Sequence, residues 1–97
     1  MKSLLILSLF SLSLFSMDEG ELMYSSCKFC HGITGEKIYE NIVPSLKNQD
    51  VITLEVKLRL YKEGDMNTYG YGPIMKQQMA NIPDEKISTL AKYINNL

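Results

Sequence analysis

The chain has 97 residues, 45% of them hydrophobic and 22% charged, with 10 Lys and Arg against 11 Asp and Glu for a formal charge of −1. That length bounds it to a single domain. The mildly acidic balance, with no basic block, argues against nucleic-acid binding.

The first element is "MKSLLILSLFSLSLFS". Its apolar run from Leu4 to Phe15, broken only by serines, matches a signal-peptide h-region and falls short of the roughly 20 residues of a spanning helix. The expected division is a signal peptide over 1–16, cut after Ser16 or alternatively after Ser13, and one domain over 17–97. Leu14 and Ser11 would then stand at the −3 position, so the cleavage motif is loose. A retained membrane anchor is the other reading. A mature domain of roughly 80 residues is small for a self-sufficient core and calls for a disulfide, metal or cofactor.

Three further segments read as regular. From about Asp18 to Phe29, Gly20, Met23, Tyr24 and Cys27 recur at helical spacing. "DVITLEVKLRLYKEG" has Asp50 as a plausible N-cap, a stripe of Val51, Leu54, Leu58 and Tyr61, and Gly64 as a stop. Val56, Leu58 and Leu60 also alternate with Lys57 and Arg59 as a strand would, but the length favours helix. In "PDEKISTLAKYINNL", Ile87, Leu90, Ala91, Ile94 and Leu97 form one apolar face. Pro83 suits the first helical position, and Asp84 and Glu85 suit the positive end of the dipole. The connecting stretches, "HGITGEKIYENIVPSLKNQ" and "EGDMNTYGYGPIM", are rich in Gly and Pro and read as long loops. Such loops in a small domain need something to pack on.

Both cysteines and the only histidine lie within "SSCKFCHGITG", at Cys27, Cys30 and His31. C-x-x-C alone fits a redox dithiol, half of a zinc site or a disulfide. A zinc site normally wants four ligands, and no other Cys or His exists. A thioredoxin-like site needs a strand before the motif. A disulfide over two intervening residues would cross-link almost nothing. C-x-x-C-H is the attachment sequence for c-type haem. Two thiols add across the two haem vinyl groups, and the next residue, His31, supplies the proximal imidazole. With no second histidine, a methionine is the natural sixth ligand. Met66, Met75 and Met79 are open candidates, with Met75 favoured because it ends the loop "TYGYGPIM". Met23 sits too close to the motif to reach the opposite haem face.

Nearly the whole sequence after residue 16 resembles a class I cytochrome c of the small, single-haem bacterial kind. "GELMYSSCKFCHG" resembles the family's first helix, with Gly20 and Tyr24 as its glycine and aromatic. "VPSLKNQD" resembles the segment beneath the haem. The resemblance implies that the Pro44 carbonyl accepts a hydrogen bond from the proximal His31 and that Leu46 packs on the haem. "LRLYKEG" resembles the end of the middle helix. The axial methionine of the family lies seven residues before the apolar residue preceding the last helix. That residue is Ile82, so the resemblance implies Met75. The family often has Ser or Thr where Pro83 stands, so Ile82 or Asn81 is expected at the helix boundary.

The implied fold is all-α, three main helices with long loops wrapped around one covalent haem c. The first and last helices are expected to cross at Gly20, with Tyr24, Leu90 and Tyr93 around the crossing. The implied function is a periplasmic, monomeric one-electron carrier rather than an enzyme. Its partners would be redox proteins of the quinol-cytochrome c oxidoreductase, terminal oxidase or cytochrome c peroxidase class. Lys28, Lys47 and Lys76 are candidates to ring the haem edge, or else ordinary solvated lysines. A membrane-tethered subunit, or a five-coordinate haem binding small gases or peroxide, is the alternative.

Overall fold

The computed structural model describes residues 18–97. The proposed division at residue 16, and with it the signal peptide, lies outside them. The described chain is all-α. Five α-helices follow in order: α1 Glu19–Tyr24, α2 Lys28–His31, α3 Val51–Glu63, α4 Gly72–Met79 and α5 Ile87–Asn95. A 3-10 turn, Asp84–Lys86, leads into α5. No helix among the described residues is long and apolar enough to cross a membrane.

The expected first helix is broken in two. The Ser25 N–H and Oγ both turn back to the Leu22 carbonyl, at 3.2 and 2.7 Å. The Cys27 N–H bonds to the Tyr24 carbonyl at 2.9 Å. These i to i+3 bonds tighten the chain, and the motif restarts as the short α2. At the head of α1, the Asp18 carboxylate accepts from the Gly20 N–H at 2.7 Å, a side-chain cap.

Helix α3 settles the helix-or-strand conflict in favour of helix. Asp50 caps it through the Thr53 N–H at 2.7 Å and Thr53 Oγ1 at 3.0 Å. Gly64 ends it at φ 82°, the left-handed C-cap that glycine favours. Leu54 and Leu58 are buried while Val56 is half exposed, so burial follows the helical period.

The second expected loop contains a helix. Residues Gly72–Met79 coil as α4, with Pro73 in the first turn and the Gly72 N–H bonded to Asn67 Oδ1 at 2.8 Å. Proline costs little there because a first-turn N–H has no intrahelical partner. Met75 therefore stands on a helix, one turn before Met79, and not at the tip of a flexible loop. The first loop closes on itself through a single bridge between Tyr39 and Val43, with Glu40 and Asn41 both in the left-handed region.

Pro83 also departs from expectation. It is the boundary residue itself, extended at φ −60° and ψ 146°, and the 3-10 turn precedes the α-helix proper at Ile87. The Pro83 carbonyl accepts from the Lys86 N–H at 2.9 Å. The neighbouring Ile82 carbonyl accepts a hydrogen bond from Lys62 Nζ, which also donates to Asp84 Oδ1 at 2.7 Å. The junction is thus held from α3 and not by a local cap.

Helix α5 packs on α1 and α3, and α4 packs on α3. Tyr24, Leu54, Leu58, Met79, Ile82, Ile87, Leu90, Ala91 and Ile94 form one buried cluster. The α1–α5 crossing lies at Gly20 as the sequence suggests. A Cβ there would stand 2.5 Å from Tyr93 Cβ, so the backbones approach only because position 20 has no side chain. Tyr24 and Tyr93 pack with ring centroids 5.8 Å apart, and Leu90 is fully buried.

Candidate functional site

The turn after α1 and the short helix α2 deliver Cys27, Cys30 and His31 to one wall of a cavity of about 330 Å³. That size falls within the roughly 300–1,000 Å³ of small-molecule and cofactor pockets. Helix α3 contributes Leu54, Leu58 and Tyr61, α4 contributes Ile74, Met75, Gln78 and Met79, and α5 contributes Leu90 and Ile94. Pro44 and Leu46 lie on the same lining. The loops therefore pack around a space that the helices leave between them.

The segment after the motif is fastened to α1. Tyr24 Oη donates to the Gly32 carbonyl at 2.6 Å in a buried bond. Gly32 has φ 90°, and a Cβ on it would run into the Glu36 carboxylate. Glu36 Oε1 accepts from the Thr34 N–H at 2.9 Å and from Thr34 Oγ1 at 3.0 Å. Leu46 is tied to this turn by its N–H, which donates to the Gly35 carbonyl at 2.8 Å.

Burial pushes the Tyr24 hydroxyl up to about 12 from its ordinary 10.0, and negative charge on Cys27 and Glu36 would act in the same direction. The folded value exceeds the unfolded one. The stability contributed by the protonated hydroxyl is therefore complete below pH about 10 and lost as pH rises through about 12. Tyr24→Phe is expected to cost about 0.5–1.5 kcal/mol at neutral pH. Denaturant titrations of both proteins across this alkaline range should show the difference closing. A difference that stayed constant with pH would contradict the assignment.

Cys27 and Cys30 are free thiols, both partly buried. Burial holds the Cys27 thiol above its ordinary pKa, and its Sγ donates to the Met23 carbonyl at 3.7 Å. Burial lowers the pKa of His31, which favours the neutral imidazole that a metal requires. Its Nδ1 is buried with no hydrogen-bond partner. The bond to the Pro44 carbonyl implied by the resemblance is therefore not formed here. Among the described residues no group of three or more His, Cys, Asp or Glu is placed to hold a metal ion.

Of the methionine candidates, Met66, Met75 and Met79 all line the cavity. Met79 is only 2% exposed and belongs to the buried cluster, whereas Met75 is partly buried against its edge. Met23 packs on the core but does not reach the cavity lining. Lys28, Lys47 and Lys76 are all exposed, and none lines the cavity.

Sequence reasoning did not single out Tyr39, Tyr71, Gln49 or Lys57, all of which face the cavity. Tyr39 and Tyr71 meet edge to face with centroids 5.0 Å apart. These residues lie on separate segments and share no spacing. Only the assembled walls bring them together.

The residues fit a covalently attached haem: two free thiols and an imidazole that burial biases toward its neutral form, all on the lining of one largely apolar cavity. The comparisons agree. Residues 17–97 match the model of the cytochrome c family. The chain is 30% identical over 92 residues to cytochrome c-553 of Nitratidesulfovibrio vulgaris (strain DSM 19637 / Miyazaki F), covering 91% of this chain and 85% of that protein. It is 37% identical over 75 residues to cytochrome c-552 of Acidithiobacillus ferridurans, covering 73% of this chain but only 31% of that protein.

Proposed function

The chain belongs to the cytochrome c family as a small class I c-type cytochrome with haem c as its cofactor, and from that premise we propose that it is a soluble one-electron carrier with His31 and Met75 as axial ligands. The observation that carries this reading is one cavity whose lining brings Cys27, Cys30 and His31 together with Met75 of α4. Cys27 and Cys30 would hold the haem through thioethers, and Pro44 and Leu46 would wall it. Bound there, the haem supplies a ferrous–ferric couple. Two protein ligands leave no position for a substrate, which favours a carrier over an enzyme. The apolar walls disfavour the extra charge of the ferric state and so favour reduction.

Residues 1–16 are the export signal in this reading, and the carrier works in the periplasm between respiratory redox proteins. Its donor and acceptor are of the quinol-cytochrome c oxidoreductase, terminal oxidase or cytochrome c peroxidase class. The test is made on the purified holoprotein. The ferrous form should bind carbon monoxide slowly, because a ligand must first leave. N-terminal sequencing of the periplasmic fraction should find residues 1–16 removed. Rapid binding of carbon monoxide would favour a gas- or peroxide-binding haem, and intact Met1 in membranes would favour a tethered subunit.

A further inference from the structure

Helix α3 carries three cations, Lys57, Arg59 and Lys62. Two have carboxylate partners: Arg59 meets Glu55 at 2.9 Å and Lys62 meets Asp84 at 2.7 Å. Lys57 has none among the described residues. Its Nζ instead donates to Gln49 Oε1 at 2.8 Å. Both side chains line the large cavity, where Lys57 is the only Lys or Arg and no Asp or Glu is present. Lys57 is partly buried and faces a lining that offers it no counter-charge, so an anion seated in the cavity would find an unpaired cation there.

The donors that remain say what kind of anion. A lysine ammonium has three N–H groups and an amide nitrogen has two. One Lys57 proton goes to Gln49, and one Gln49 proton goes from Nε2 to the Ser45 carbonyl at 3.1 Å. The Gln49 backbone is itself anchored, its carbonyl accepting from Asn95 Nδ2 at 3.0 Å. Two protons on Lys57 and one on Gln49 are left for a neighbour with several acceptor lone pairs, which a carboxylate supplies. A haem enters this cavity with two propionate carboxylates on its edge.

We propose that Lys57 and Gln49 receive a haem propionate. The inference rests on the haem occupying this cavity and names which of the chain's polar groups take the acid end of the cofactor. Lys57 supplies the charge, and Gln49 holds the ammonium at the wall and adds a neutral donor. A cation paired there stabilises the ferrous haem relative to the ferric, because the ferric state carries one more positive charge.

Lys57→Gln and Lys57→Arg holoproteins test this, with covalent haem content, midpoint potential and the propionate bending band in the resonance Raman spectrum as readouts. Lys57→Gln should keep its haem through acid-acetone extraction, shift the potential downward and move the propionate band. Lys57→Arg, which preserves the charge, should restore both toward the unsubstituted protein. A potential that falls while the band stays fixed would mean a distant charge effect and would overturn the contact. An unchanged potential and band in Lys57→Gln would also overturn it. Absence of covalent haem in the unsubstituted protein would overturn the attachment, and this assignment with it, which separates the two failures.

Discussion

Cys27→Ala/Cys30→Ala should yield a chain that retains no haem through acid-acetone extraction and accumulates poorly, whereas the unsubstituted chain keeps its colour with the polypeptide. Each single substitution leaves one thioether at most and should fall between these limits. The expected direction follows from the core. Without its occupant the apolar lining loses the packing contacts that a haem would supply, in a domain whose whole stability is only about 5–15 kcal/mol. Leu54, Leu58, Met79, Leu90 and Ile94 belong both to the buried cluster and to the cavity lining, so the core and the cofactor wall are one structure. Haem staining of denaturing gels and immunodetection of the chain measure the two effects separately. Haem freely extracted from the unsubstituted protein would remove thioether attachment from the account.

Met75→Ala should abolish the weak long-wavelength sulfur-to-iron band of the ferric protein, lower the midpoint potential and open the ferrous iron to rapid carbon monoxide binding. Thioether ligation favours the ferrous state, so its loss moves the potential down. Met79→Ala should behave differently. With 2% exposure and a place in the buried cluster, Met79 should cost about 2–5 kcal/mol of stability when truncated while the band persists. Spectra and denaturant titrations of both variants separate the roles. A band lost in Met79→Ala and retained in Met75→Ala would transfer the ligand by one turn of α4 and leave the electron-carrier reading in place.

The elements that were legible in the sequence are those whose signals are local. Asp50 and Gly64 bracket α3 because a cap and a left-handed stop each need one residue type at one position. The apolar face of α5 is read directly from its 3.6-residue period, and the structure buries Ile87, Leu90, Ala91 and Ile94 along it. Gly20 announced a close approach, and Tyr93 is what approaches. In contrast, "YGYGPIM" reads as loop because Gly and Pro are poor helix formers. There, the Asn67 side chain and the burial of Met79 stabilise a helix that propensity opposes.

By itself the sequence carried the attachment motif: Cys27, Cys30 and His31 lie within five positions, as two thioethers and one imidazole on a single haem would require, and that constraint is local along the chain. It also determined the all-α class through caps and periodicity. Only the tertiary structure decided where the cavity walls come from, that Met75 stands on a helix beside a buried Met79, and that Lys57 meets Gln49 at the lining. Those relations join residues from separate segments. They are created when α3, α4 and α5 pack, and burying apolar side chains in the interior leaves no fixed spacing in the sequence to announce them.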